Sequence, residues 1–163
     1  IETAVVVSGG RVTADEISKI ISLGKAQINQ RNPLLEGVPE VLETLSSRFR
    51  LIVATKGDLL DQERKLKNSG IGGYFHHIEI MSDKTEDNYR KLLNHLDIQP
   101  DQFLMVGNSL KSDVLPVIRL GAYAIHIPFH ITWQHEEVMD YEMPDAHFLS
   151  LESLKEILPV FGF

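Results

Sequence analysis

The chain has 163 residues, 43% hydrophobic and 24% charged, the balance of an ordinary soluble globular protein with a real core. Its formal net charge of -7 argues against a general nucleic-acid surface, and the absence of Cys excludes disulfides, thiolate nucleophiles and thiolate metal sites. No apolar run approaches the roughly 18 residues of a membrane span and no signal-peptide pattern is present, so the expectation is a cytoplasmic protein without membrane partners. The sequence starts at Ile1 rather than Met, so a processed or trimmed product is expected from the outset.

The first ten residues, IETAVVVSGG, are ambiguous, with strand propensity confined to Ala4–Val7. Thr13 and Glu16 have the spacing of a capping box, and Ile17, Ile20, Ile21, Gly24 and Ile28 follow at helical spacing. After the polar break NQRNPLLEG, VPEVLETLSSR predicts a short helix with Pro39 in its first turn. RLIVAT (50–55) predicts a buried strand running into TKGD, and LLDQERKLKNSG an amphipathic helix stopped by Gly70. HHIEIM is a short strand ending at SDK, and TEDNYRKLLNHL is a helix with a Thr start. A strand over 103–106, a helix around 113–120 ending at Gly121 and the strand AYAIHI follow. The stretch after Pro128 is less regular, and LESLKEILPVF predicts a closing helix packed on the core. This alternation argues for an α/β domain with a parallel sheet covered on both faces.

Ligands of open parallel sheets bind beyond the carboxyl ends of the strands. The four predicted ends carry Thr55, Lys56, Gly57 and Asp58; Ser82, Asp83 and Lys84; Asn108, Ser109, Lys111 and Asp113; and His126, with His130 beyond Pro128. Hydroxyls, cations and carboxylates together suit a phosphate and a divalent cation: hydroxyl and backbone N–H groups hold phosphate oxygens, Lys neutralises them, and carboxylate or amide oxygens are hard ligands for Mg²⁺. Each residue also has a plainer role. Thr85 and Asp113 could cap the helices they precede, and Thr55 or Lys84 alone could be solvated loop residues. His76 and His77 read as an exposed edge. His126, His130 and His135 do not form a zinc motif, because Pro128 interrupts the helix that such spacing requires.

A strand ending in Thr55, then Lys84 after the next strand, then VGNSLKSD resembles, in order and spacing, motifs II, III and IV of the haloacid dehalogenase (HAD) superfamily. LLEGVPEVLETL resembles the helix preceding motif II, and Thr85 stands where the family often has Pro. The resemblance covers residues 34–129 and implies a three-layer Rossmann-like parallel sheet, with residues 1–30 as the remnant of a helical cap and 31–163 as the core. It further implies a Mg²⁺-dependent phosphatase for a small phosphorylated metabolite, working through an aspartyl-phosphate. In that reading Thr55 and Lys84 are catalytic. Thr55, Lys56, Gly57 and Lys84 hold phosphate, and Asn108 and Asp113 hold Mg²⁺ or its waters.

The motif I nucleophile, an apolar strand followed by Asp-x-Asp, occurs nowhere in the 163 residues. The expectation is therefore a carboxyl-terminal part of a longer hydrolase, inactive by itself; the alternative has TAVVV or another chain supplying the missing strand. Two other functions fit the same residues: a metal-independent 2-haloacid dehalogenase, and a non-catalytic binding module that has lost motif I. A receiver domain fits less well, since it too needs acidic residues on its first strand.

Overall fold

The computed structural model describes residues 1–30, 33–129 and 146–163. His130 and His135 lie outside the described residues. The chain divides into two compact units, Ile1–Pro33 and Leu34–Phe163.

The first unit is a pair of helices, α1 (Glu2–Val7) and α2 (Ala14–Asn29). The valines that suggested a strand are helical, which removes TAVVV as the source of a sheet strand in this structure. β-Branched residues cost a helix only a few tenths of a kcal/mol each, and the turn after them favours the helix. Gly9 and Gly10 adopt φ of +61° and +78°, and their N–H groups return to Val6 O and Val5 O at 3.1 and 2.8 Å. Orphan carbonyls at the helix end are thereby satisfied. Thr13 makes the expected capping box: its Oγ1 accepts from Glu16 N, and the Glu16 carboxylate accepts from Thr13 N at 2.7 Å. Neither helix buries a residue.

In the second unit Gly37, with φ +78°, caps α3 (Val38–Ser46). It continues through β1 (Leu51–Lys56), α4 (Leu59–Ser69), β2 (Phe75–Met81), α5 (Glu86–Leu96) and β3 (Leu104–Gly107). Then come α6 (Leu115–Ile118), β4 (Tyr123–His126), β5 (Phe148–Ser150) and α7 (Ile157–Val160). Gly70 ends α4 in the left-handed region and Thr85 caps α5, both as predicted. The strand β5 was not foreseen, because three residues are too few to show a period. The closing helix is shorter than predicted, a 3₁₀ turn over Leu154–Glu156 followed by α7, yet it buries Ile157 as expected.

Every strand pair is parallel, in two groups ordered β1–β2 and β3–β4–β5. Among the described residues no hydrogen-bonded strand joins β1 to β3. The two half-sheets nonetheless share their side-chain layers. On one face Tyr89, Leu92 and Leu93 of α5 and Val117 and Ile118 of α6 pack with Met81, Met105, Ile52 and Ala54. On the other, Val41 and Leu45 of α3 and Ile157 pack with Leu51, Leu104, Val106 and Ile125. Along β3 the side chains therefore alternate between the layers, as the pleat dictates. The result is the expected α/β, three-layer, Rossmann-like arrangement, with the carboxyl ends of the strands within each group on one side.

Candidate active site

The turn after β3 organises the site. Ser109 Oγ accepts from Ser112 N at 2.9 Å and caps the segment. Leu110–Val114 then forms a single π-helical turn before α6, with Asp113 N and Val114 N both donating to Ser109 O, at 2.9 and 3.2 Å. Such turns are rare and concentrate at functional sites. The helix thus begins earlier than predicted, and Ser109 rather than Asp113 is its cap. Freed from that role, the buried Asp113 side chain folds back over the strand end. One of its oxygens accepts from Ser109 N at 3.1 Å and the other from Lys84 Nζ at 2.6 Å.

Lys84 arrives from the other half-sheet, three residues beyond β2. Its side chain is 12% exposed and that of Asp113 5%, so the pair is shielded from solvent. Ions this deep are tolerable only when matched and hydrogen-bonded, and here the ammonium and the peptide N–H together match the carboxylate. Gly107 sits directly beneath: a Cβ there would overlap the Asp113 carboxylate.

Lys56, at the end of β1, reaches the same turn. Its Nζ lies 3.5 Å from Ser112 Oγ and 3.7 Å from Asp83 Oδ1. Thr55 donates to Gln62 Oε1 of α4 at 3.1 Å, and Gly57 N donates to Met81 O at 3.1 Å, binding the end of β1 to β2. Asn108 is exposed, and its backbone carbonyl lies 3.1 Å from His126 Nε2. Thus Lys84, Asp113, Lys56, Ser109 and Ser112 converge, while Thr55, Gly57 and Asn108 stand at the adjoining strand ends with partners of their own. His77 departs from its exposed reading: it is half-buried and 2.9 Å from Glu79 Oε2.

Two contributors lack any polar-cluster signal in the sequence. Gly107 is legible only as a glycine closing a strand. Tyr89 reads as a core residue at helical spacing, and it is fully buried, but its hydroxyl donates to Ser112 O at 3.2 Å. Burial first, and the Asp113 charge second, push its ionisation well above the ordinary tyrosine range, so it stays a proton-bearing donor.

Asp113 and Asn108 offer oxygen donors of the type Mg²⁺ takes. Among the described residues, however, no group of three His, Asp or Glu side chains converges to hold a metal. The donor type fits Mg²⁺; the donor number among the described residues does not.

Comparison with known proteins identifies the family. Over 121 residues the chain is 26% identical to human N-acylneuraminate-9-phosphatase, covering 71% of the chain and 49% of that protein. It is 28% identical over 159 residues to the glyceraldehyde 3-phosphate phosphatase of Methanothermobacter thermautotrophicus, covering 90% of the chain and 70% of that protein. The chain thus spans about half the length of the first relative. A haloacid dehalogenase-like family hydrolase from Xanthomonas campestris superposes with a TM-score of 0.85 at 27% identity, over 98% of this chain and 68% of its own. The family model for haloacid dehalogenase-like hydrolases matches residues 8–121, and the chain belongs to that family.

Proposed function

We propose that the complete protein is a Mg²⁺-dependent phosphatase acting on a small phosphorylated metabolite, and that this chain is its carboxyl-terminal part. Residues 1–30 are the remnant of the cap and 31–163 the core. The observation that carries this reading is the Lys84–Asp113 pair, seated on Gly107 where the two half-sheets meet without a shared ladder. A strand bearing Asp-x-Asp between β1 and β3 would bring its carboxylates to that pair. The phosphatase relatives support a phosphorylated substrate.

In this reading Lys84 neutralises the repulsion between a carboxylate nucleophile and a dianionic ester. Thr55 donates to a phosphoryl oxygen, and Lys56 and Gly57 line the phosphate pocket beside it. Asp113, with Asn108 next to it, supplies part of the oxygen shell for Mg²⁺, whose contribution when bound is charge stabilisation at the phosphoryl group.

The test compares the 163-residue chain with a protein extended through the coding region upstream of Ile1, on an aryl phosphate, with and without EDTA. The expected result is hydrolysis by the extended protein only, abolished by chelation. Turnover by the short chain, or metal-independent phosphatase turnover by the long one, refutes the proposal. An upstream region lacking Asp-x-Asp would instead favour a non-catalytic module.

A further inference from the structure

We infer that Asn88 and Tyr89, adjacent on α5, are positioning residues that set the Lys84–Asp113 geometry. The inference rests on the reading of that pair as the phosphate-facing one. It comes from two hydrogen bonds leaving one turn of α5 toward different loops. Asn88 Nδ2 donates to Asp83 O at 2.8 Å, fixing the peptide that leads into Lys84. Tyr89 Oη donates to Ser112 O at 3.2 Å, fixing the peptide that leads into Asp113.

The two ends of the ion pair therefore hang from neighbouring residues of one rigid helix, although they belong to different half-sheets. The helix is itself anchored beside Lys84, since Thr85 Oγ1 accepts from Asn88 N at 3.3 Å. The Tyr89 ring is fully buried in the α5-side layer, so its hydroxyl has little freedom to move. The carbonyl it holds lies within the π-helical turn, whose ladder is offset from the α-helical one. Without a donor there, that turn loses a restraint against relaxing to a regular helix, which would rotate Asp113 away from Lys84.

The test uses the unliganded 163-residue chain, so its outcome is independent of any phosphatase assay. Amide hydrogen exchange is compared for the parent and Tyr89→Phe, which removes only the hydroxyl. Loss of one net hydrogen bond predicts exchange about fivefold faster at Ser109, Asp113 and Val114, with Ala124 and Ile125 of β4 unchanged. In a ¹⁵N spectrum the Lys84 ammonium resonance is expected to be narrow in the parent, where Asp113 holds its protons, and to broaden in Tyr89→Phe and also in Asn88→Ala, a change at a half-buried position. It stays narrow in Leu92→Val, a core change on the same helix that destabilises without removing either hydrogen bond. The inference is overturned if exchange in the turn stays within twofold of the parent. It is equally overturned if β4 amides accelerate in parallel, if the ammonium signal is unchanged in Asn88→Ala, or if Leu92→Val broadens it as much.

Discussion

Replacing Gly107 by Ala tests the site at its tightest point. A Cβ there would lie against Asp113 Oδ2, Cγ and Cβ, all well inside van der Waals contact. Gly107 ends β3 without a left-handed φ, so the penalty is steric rather than conformational. Two responses are open. The Asp113 side chain can swing away, which abandons Lys84 and strips Ser109 N of its acceptor. An unsatisfied buried N–H costs about 1–3 kcal/mol, and breaking a buried ion pair about 3–5 kcal/mol. Alternatively β3 shifts, at the roughly 1–3 kcal/mol typical of overpacking. The cheaper route sets the outcome, so Gly107→Ala should lose about 1–3 kcal/mol. With an m-value of roughly 1–3 kcal/mol/M, that lowers the urea midpoint by about 0.3–3 M. Circular dichroism during urea titration reads it, with Gly73→Ala as the control because nothing lies within 4 Å of its added methyl. A Gly107→Ala midpoint within ~0.3 M of the parent would mean that Asp113 is not wedged as described.

In the extended protein, Asn108→Asp should tighten Mg²⁺ and Asp113→Asn should weaken it, because a formal charge at a hard cation is gained or lost; three coincident Mg²⁺ titrations of activity would show that this loop holds no metal. The Glu16 carboxyl is held below the ordinary carboxylate range, chiefly by its hydrogen bond from the Thr13 backbone and then by the Thr13 hydroxyl. A group with a depressed folded-state value stabilises above its unfolded value, about 4.3 for Glu. Helical content from α2 should therefore hold above that pH and fall as pH drops through the folded value, a dependence that Glu16→Gln removes; far-ultraviolet circular dichroism against pH in both proteins is the check.

Much of the core was legible because strand and helix periods, Thr caps and a terminal Gly act locally. Thr13, Thr85 and Gly70 need only their neighbours in sequence to do their work. The valines of α1 were not legible, since the Gly9–Gly10 turn that secures them outweighs a weak propensity. In the site, Lys84 and Asp113 could be named from their places after strands. Their direct pairing could not, because it depends on a π-helical turn that the sequence does not advertise. Tyr89 was hidden for a related reason: one side chain serves the core with its ring and the site with its hydroxyl, and spacing reveals only the ring.

In the 163-residue chain by itself, the seam between β1 and β3, where no ladder joins the described strands, is a direction of weakness. Within each half-sheet, strands are joined by backbone ladders that must shear together. Across the seam, cohesion comes from the side-chain layers above and below, from the Lys56 contact with Ser112 and from the Lys84–Asp113 bond. Side chains can part and repack one at a time, so opening along this line costs less concerted rearrangement than any other cut through the sheet. An anion drawing the Lys84 ammonium away from Asp113 would loosen a fastening between the halves as it binds. In the extended protein of the proposal, a strand between β1 and β3 would replace this side-chain fastening with backbone ladders on both sides.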